Sequence, residues 1–141
     1  SAVAQAIATL EAGGIARDRI WLSGFSQGAC LAAEAYARTG EGLAGLIAFS
    51  GGLVGTADAA GDQSEALYGH GPKRFDYTGS RDGKVWLSVH EQDPHIPLTR
   101  VRETANTFTA LGARVETRIH PGAGHGLLQD DLAALQSHLS R

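Results

Sequence analysis

Three polar side chains, far apart in the chain, are of the types that together activate a hydroxyl group. Ser26 stands in the pattern Gly24-x-Ser26-x-Gly28, between a short apolar strand and a segment rich in good helix formers. Asp93 and His125 each follow a later segment that is predicted to be a strand. A serine hydroxyl is a weak nucleophile unless a neutral histidine takes its proton and a carboxylate holds that histidine in one tautomer. The pattern therefore predicts Ser26 as a nucleophile, His125 as its base and Asp93 as the orienting carboxylate.

The turn at Ser26 must be tight if the serine is to be presented above a sheet. Glycine at positions 24 and 28 allows neighbouring backbone segments to approach closely. We expect Ser26 to have a strained conformation with its hydroxyl exposed, and the first N–H groups of the following helix to point at the same spot. A glycine-flanked serine in an ordinary turn is the alternative that the motif alone leaves open.

Six histidines compete for the role of base. His125 lies in the glycine-rich segment 121–126, directly after the last predicted strand, from which an imidazole can reach across the end of a sheet. His120 ends that strand, and we expect its side chain to point away. The remaining histidines are His70, His90, His95 and His138.

The segment around Asp93 also permits a different interpretation. Its prolines stiffen the loop, which would fix the direction of a carboxylate, whereas Glu91 and Asp82 are weaker candidates for that carboxylate. His90, Asp93 and His95 are residue types that bind divalent ions, but their spacing is not diagnostic and no fourth ligand stands out. We therefore predict that the segment holds no metal ion.

Apolar periodicity along the chain predicts alternating helices and strands. Such alternation is typical of a parallel sheet with helices on both faces, in which ligands bind beyond the carboxyl ends of the strands. The Gly-, Asp- and Ala-rich stretch 54–83 is predicted to be an excursion over the top of the sheet, with a short helix at 64–68. Helices are predicted at Ala2–Ala12, Gln27–Thr39, 98–111 and 127–139, the last burying Leu128, Leu132, Leu135 and Leu139, and strands at 19–23, 43–50, 84–90 and 113–120.

Composition limits the kinds of protein to consider. With 141 residues, 43% of them hydrophobic and 19% charged, the chain is long enough for one globular domain, residues 1–141. A net charge of -3 provides no basic surface, so we expect no nucleic-acid partner. No apolar run approaches the ~20 residues of a membrane-spanning helix. The single cysteine, Cys30, has no internal disulfide partner, and we expect a buried small hydrophobe in a cytoplasmic protein.

Three short segments stand out when the chain is taken as a whole: Gly24-Phe25-Ser26-Gln27-Gly28, Asp93-Pro94-His95-Ile96-Pro97 and Pro121-Gly122-Ala123-Gly124-His125. They resemble the carboxylesterase/phospholipase family of small α/β-hydrolases, to which acyl-protein thioesterases and bacterial broad-range esterases belong. The order serine, aspartate, histidine along the chain is also that of α/β-hydrolases. The resemblance implies an α/β-hydrolase-type parallel sheet, here of about four strands. It also implies a serine hydrolase that cleaves small-molecule carboxylic esters or thioesters without a cofactor.

The same resemblance implies roles for individual residues. By that match the catalytic residues are Ser26, Asp93 and His125, the Gln27 backbone N–H is an oxyanion donor, and Ile96 and Pro97 line the acyl side of the site. Family members begin with further strands and with a His-Gly-x-Gly-like loop that supplies a second oxyanion donor. No part of this chain matches that beginning, and the chain has no methionine. We therefore expect it to be the C-terminal two-thirds of a longer domain.

A strand at 19–23 that lacks a neighbour on one side would leave an exposed apolar edge. Such an edge can pair with another chain, which leaves a homodimer open. Two alternatives to an ester hydrolase follow. One is an incomplete, non-catalytic hydrolase domain that serves as an interaction module, and the other is a peptidase of the same fold. The small chain has no room for the gating domain of such a peptidase.

Overall fold

A parallel sheet with helices packed on its faces forms the frame of the molecule. The computed structural model describes residues 1–61 and 71–140. In that part of the chain the helices are α1 (Ala2–Ala12), α2 (Gln27–Thr39), α3 (Leu98–Ala110) and α4 (Gln129–Leu139), and the strands are β1 (Trp21–Phe25), β2 (Gly45–Phe49), β3 (Ala57–Asp58), β4 (Lys73–Arg74), β5 (Lys84–Gln92) and β6 (Arg114–Ala123). The four strands of the parallel sheet stand in the order β1–β2–β5–β6, so β1 is at an edge among the described residues. No helix in the described ranges is long and apolar enough to cross a membrane.

The second strand is covered on both sides because its alternate residues face different helices. All of its residues are buried. Leu46 and Ala48 belong to the core cluster that includes α2 and α3, whereas Ile47 and Phe49 belong to a second cluster with Leu135 of α4. A strand buried on both faces reads as a continuous apolar run, as this one does. The predicted parallel sheet with helices on both faces is confirmed.

All boundaries of the described helices lie within two residues of those predicted, whereas the boundaries of the sheet strands differ by up to three residues. The helices α1 and α2 begin and end at the predicted residues. The first strand begins and ends two residues later than predicted, at Trp21 and Phe25, because Arg17–Arg19 forms a single 3-10 turn before it. The strands β5 and β6 run further than predicted, and Gln92 pairs with Ala123 across an irregularity in the register. The extra residues lengthen the sheet at its carboxyl end, where the predicted site residues lie.

The last helix turns a different face inward from the one predicted. Asp131 and His138 are buried, at 1% and 8% exposure, and Leu135 is half-buried between them. The prediction that leucines form the buried face was wrong because Asp131 is hydrogen-bonded inside the molecule and His138 packs between tryptophan rings. These contacts offset the free-energy cost of burying two polar side chains. The predicted core residues that are exposed instead are Leu128 (41%), Leu132 (47%) and Leu139 (54%).

The excursion at 54–83 contains a short antiparallel pair, β3 with β4, that periodicity did not predict. Glu34 of α2 fixes the start of the excursion. Its Oε1 accepts the first two backbone N–H groups of the stretch at 2.8 Å each and the Tyr77 hydroxyl at 2.7 Å. Burial, together with the Glu34 carboxylate, raises the pKa of the Tyr77 phenol, which therefore stays a donor. The helix predicted at 64–68 and His70 lie outside the described residues.

Candidate active site

The turn between β1 and α2 holds Ser26 in a conformation that non-glycine residues rarely adopt. Its φ is 56° and its ψ is -119°. The Ser26 N–H donates to the Phe49 carbonyl oxygen at 2.9 Å, and the Ser26 carbonyl oxygen accepts from the Cys30 N–H at 3.1 Å. Cys30, expected to be buried, is half-buried beside this turn. The strain expected at Ser26 is present, and hydrogen bonds on both sides maintain it.

The two glycines that flank Ser26 are not equivalent. A Cβ atom on Gly24 would lie 2.2 Å from the carbonyl oxygen of Gly28 and 2.7 Å from the backbone nitrogen of Ala29. A Cβ atom on Gly28 would meet nothing within 4 Å. The steric explanation offered for both glycines is therefore correct for Gly24 and wrong for Gly28. The backbone of α2 passes over position 24 and leaves position 28 open.

Ser26, His125 and Asp93 are hydrogen-bonded in series. The Asp93 Oδ2 lies 2.7 Å from His125 Nδ1, and His125 Nε2 lies 2.8 Å from Ser26 Oγ. The other Asp93 oxygen accepts the backbone N–H groups of His95 and Ile96 at 2.8 and 3.0 Å, which fixes the rotation of the carboxylate. An ionised carboxylate only accepts, so Nδ1 carries the ring proton and Nε2 presents its lone pair to the serine. This tautomer can take a proton from the Ser26 hydroxyl.

Two aromatic rings for which the sequence predicted no contact with His125 lie against its imidazole. The Phe25 ring centroid lies 5.1 Å from that of His125, and the His95 ring meets it edge-on at 4.8 Å. Phe25 precedes the serine and His95 follows close after the carboxylate, so their places in the two motifs were the available signal. Phe25 is 40% exposed, so its ring presents an apolar surface next to the His125 imidazole.

The start of α2 offers backbone donors next to Ser26. Gln27 is the first residue of this helix, and the first N–H groups of an α-helix have no partner within it. Serine often caps such an end with its side chain, but the Ser26 hydroxyl makes no capping hydrogen bond and contacts His125 instead. The Gln27 N–H therefore needs an acceptor from outside the helix, and the helix dipole favours a negative one.

Ile96 and Pro97 lie where the Asp93 loop enters α3. Ile96 is 8% exposed and belongs to the core cluster, while its N–H donates to Asp93. Pro97 is half-buried and precedes the first residue of α3. The structure thus gives Ile96 a contact that the sequence did not reveal, because its backbone helps to orient the carboxylate.

A model of the phospholipase/carboxylesterase family matches residues 1–141. The chain belongs to this family. It is also similar to acyl-protein thioesterase 1 of Gibberella zeae, with 27% identity over 128 residues that cover 91% of this chain and 50% of that protein. The resemblance inferred from the three motifs is confirmed.

Solved structures show the same fold. A phospholipase/carboxylesterase from Dyadobacter fermentans is 31% identical with a TM-score of 0.79, and the match covers 99% of this chain and 60% of that one. SOBER1 of Arabidopsis thaliana is 19% identical with a TM-score of 0.70, over 99% of this chain and 60% of that one. The sheet and helices are therefore those of an α/β-hydrolase. The chain spans about half the length of the curated relative it matches.

In this phospholipase/carboxylesterase-family chain, the competing candidates for base and carboxylate lie elsewhere. His120 Nε2 lies 3.0 Å from an Asp131 oxygen and 3.0 Å from the Ser88 hydroxyl oxygen. The Glu91 Oε2 accepts the Gly122 N–H at 3.2 Å. Asp82 precedes β5, at the opposite end of the sheet. None of these side chains joins the series of hydrogen bonds that ends at Ser26.

The alternative metal site has no geometric support in this family member. Residues 1–61 and 71–140 contain no group of three His, Cys, Asp or Glu side chains placed to hold a metal ion. Both oxygens of Asp93 are engaged by His125 and by backbone N–H groups. His90 is buried and packs against the ring of His120, while Gly124 lies against the other side of its ring edge.

Proposed function

We propose that this chain is a serine hydrolase that cleaves small-molecule carboxylic esters or thioesters through an acyl-enzyme. The observation that carries the proposal is the pair of hydrogen bonds, 2.7 and 2.8 Å long, that joins Asp93, His125 and the strained Ser26. Membership of the phospholipase/carboxylesterase family supports ester chemistry. The similarity to a protein named acyl-protein thioesterase 1 supports the thioester alternative.

In the first step the Ser26 oxygen attacks the carbonyl carbon while its proton passes to His125 Nε2. Asp93 keeps the imidazole in the required tautomer and stabilises the imidazolium that forms. The carbonyl oxygen gains negative charge, and the Gln27 N–H donates to it in this proposal. Collapse of the tetrahedral intermediate breaks the bond to the alcohol or thiol, which leaves with the proton from His125.

In the second step water releases the acid. His125, neutral again, takes a proton from a water molecule that attacks the acyl-Ser26 carbonyl. The second tetrahedral intermediate is stabilised by the same donor, and its collapse returns the proton to Ser26. Neither step requires a group beyond these side chains, the backbone donor and water.

The surroundings of Ser26 indicate where the substrate lies. We assign Ile96 and Pro97 to the acyl side, as the family resemblance implies, and the exposed Phe25 ring provides an apolar wall. The relatives are longer than this chain, so we propose that residues 1–141 form the C-terminal two-thirds of a longer domain that supplies a second oxyanion donor. A cytoplasmic location, the lack of a nucleic-acid partner and a homodimer through the β1 edge stay predictions.

A fluorophosphonate probe followed by intact-mass measurement and peptide mapping tests this function. The folded protein is expected to gain one adduct, on Ser26, and Ser26→Ala is expected to gain none. His125→Ala is expected to lower the labelling rate by about 1,000-fold, since it removes the base. Ser137→Ala, on an exposed position of α4, is the matched control and should label as the unchanged protein does.

The opposite outcome is equally informative. A folded sample that gains no adduct would refute the proposal for these residues and favour the non-catalytic alternative. The edge position of β1 among the described strands is the observation that supports that alternative, because its backbone is left to pair with another chain. A cooperative unfolding transition and a single species on a sizing column establish that the sample is folded.

A further inference from the structure

A second group of serine, histidine and aspartate lies close to the first and is buried. We call Ser88 of β5, His120 of β6 and Asp131 of α4 the buried cluster, with exposures of 2%, 5% and 1%. The Asp131 Oδ1 accepts the Ser88 hydroxyl at 2.5 Å and lies 3.0 Å from His120 Nε2. Its Oδ2 accepts the Leu128 N–H at 2.9 Å. One carboxylate thus connects two strands and the start of a helix.

The residues joined by Asp131 bracket the segment that carries His125. Segment 121–128 follows His120, forms the last residues of β6 as far as Ala123, and ends at Leu128, the residue before α4. Both of these flanking residues donate to the same carboxylate. Since Ser88 ties that carboxylate to β5, the two ends of the segment are fixed relative to the strand that precedes Asp93.

The middle of the segment rests on the same layer of side chains. A Cβ atom on Gly124 would lie 2.7 Å from Cδ2 of His90, so the backbone before His125 packs directly on that ring. His90 is 8% exposed, and its ring lies 5.3 Å from the ring of His120. A change in the buried cluster therefore has a short path of contacts to His125.

The charge on Asp131 suits this arrangement. Burial raises the pKa of the Asp131 carboxyl, but hydrogen bonds from Leu128, Ser88 and His120 outweigh it and hold the pKa below its usual value. An ionised carboxylate accepts at both oxygens, so the Ser88 hydroxyl and His120 Nε2 both act as donors. His120 Nε2 also lies 3.0 Å from the Ser88 hydroxyl oxygen, but this nitrogen carries a proton and the hydroxyl hydrogen lies on the carboxylate. Ser88 therefore has no histidine base beside it and is not a second nucleophile.

We propose that Asp131 is a positioning residue that fixes both ends of segment 121–128 and thereby places the His125 imidazole between Asp93 and Ser26. The proposal rests on the proposed function only in making His125 a base. The placement itself can be measured whether or not the chain turns over an ester.

The test compares Asp131→Asn with Asp130→Asn. Asp130 is exposed in the same first turn of α4, so the control removes an equal charge from the same helix end. Nitrogen-15 spectra of the histidine rings report the tautomer and mobility of His125, and the fluorophosphonate adduct reports the reactivity of Ser26. Asp131→Asn is expected to convert one sharp His125 tautomer into a broadened mixture and to slow labelling about 10-fold. Asp130→Asn should change neither.

Ser88→Ala provides a second variant if Asp131→Asn does not fold. It removes one donor and leaves the Leu128 and His120 contacts, so the same changes are expected at a smaller size, about 3-fold in labelling. His125 spectra unchanged in either folded variant would overturn the proposal, even if stability fell. If the unchanged protein gains no adduct, the proposed function is refuted. The comparison of its His125 spectrum with that of Asp131→Asn would still decide whether Asp131 positions the ring.

Discussion

The molecule contains the same three residue types in two neighbouring arrangements, and only in one of them do the serine and the carboxylate contact opposite nitrogens of the histidine ring. In the open cluster, Ser26, His125 and Asp93, the histidine stands between the other two. In the buried cluster the carboxylate of Asp131 is the centre, since serine and histidine both donate to it. His120 Nε2 also lies 3.0 Å from the Ser88 hydroxyl oxygen, with its proton and not a lone pair on that side. A hydroxyl that faces an imidazole lone pair can lose its proton, whereas one that faces a carboxylate is a structural donor. The order of the hydrogen bonds, more than the residue types, decides the chemistry.

The two clusters also differ in backbone conformation and in side-chain exposure. Ser26 is held at a φ of 56° in a turn, while Ser88 lies in the interior of β5. The His125 side chain is 17% exposed and that of His120 is 6% exposed. The open cluster thus combines a strained serine with a partly exposed histidine. The buried cluster has ordinary strand geometry and excludes a substrate, as expected of a group that stabilises the fold around the site.

The largest effect is expected from a substitution that disrupts the tight turn at Ser26, because this turn gives Ser26 a backbone conformation that a serine within a strand does not have. In Gly24→Ala the new methyl group would lie 2.2 Å from a backbone oxygen, so the turn must open. We expect a loss of about 3 kcal/mol in the free energy of unfolding and loss of Ser26 labelling. Denaturant unfolding and probe labelling measure these changes.

Gly28→Ala is the matched control for that turn. No atom lies within 4 Å of the new methyl group, and alanine is the better helix former, so stability should rise by about 0.5 kcal/mol. Damage in Gly28→Ala equal to that in Gly24→Ala would show that the different packing of the two glycines has no consequence.

An intermediate effect is expected where the two clusters meet. In Gly124→Ala the methyl group would lie 2.7 Å from the His90 ring, which must move or lift the backbone before His125. We expect kcat/KM for an activated ester to fall about 10-fold, with the change mainly in kcat. Gly126→Ala adds a methyl group with no neighbour within 4 Å and should stay within about twofold of the unchanged protein. An equal loss of kcat/KM in both variants would show that the packing of Gly124 on the His90 ring does not control the placement of His125.

The smallest effect concerns pH and belongs to the buried cluster alone. Folding lowers the pKa of Asp131, so its ionised form stabilises the protein above the unfolded pKa of about 4, and this contribution is lost as the pH falls through the lower folded pKa. At pH 7 we expect Asp131→Asn to be less stable by about 1–2 kcal/mol.

The two unfolding free energies should converge as the pH falls below about 4, because the wild-type carboxyl becomes protonated there. Urea unfolding across this range measures the difference. Asp130→Asn, which alters an exposed carboxylate of the same turn, should follow the wild-type curve at every pH. A constant difference between Asp131→Asn and the wild type would contradict the assignment of a charged Asp131.

Much of the fold could be predicted because it depends on local patterns. Gly24-x-Ser26-x-Gly28 between an apolar strand and a helix indicated the tight turn, and periodicity placed α1 and α2 at their observed ends. The positions of Asp93 and His125 after strands predicted that they would meet at one end of a parallel sheet, and the structure brings them together. Each of these inferences uses neighbours in sequence or a general rule for parallel sheets.

Only the tertiary structure decided which polar residues lie inside. Periodicity assigned the inner face of α4 to leucines, yet Asp131 and His138 occupy it, because β5 and β6 supply partners that the sequence of the helix does not show. The same holds for Gly28, whose open side depends on the path of other segments. Burying a polar group is unfavourable until distant residues satisfy it, so its place depends on the assembled fold and not on its own stretch of sequence.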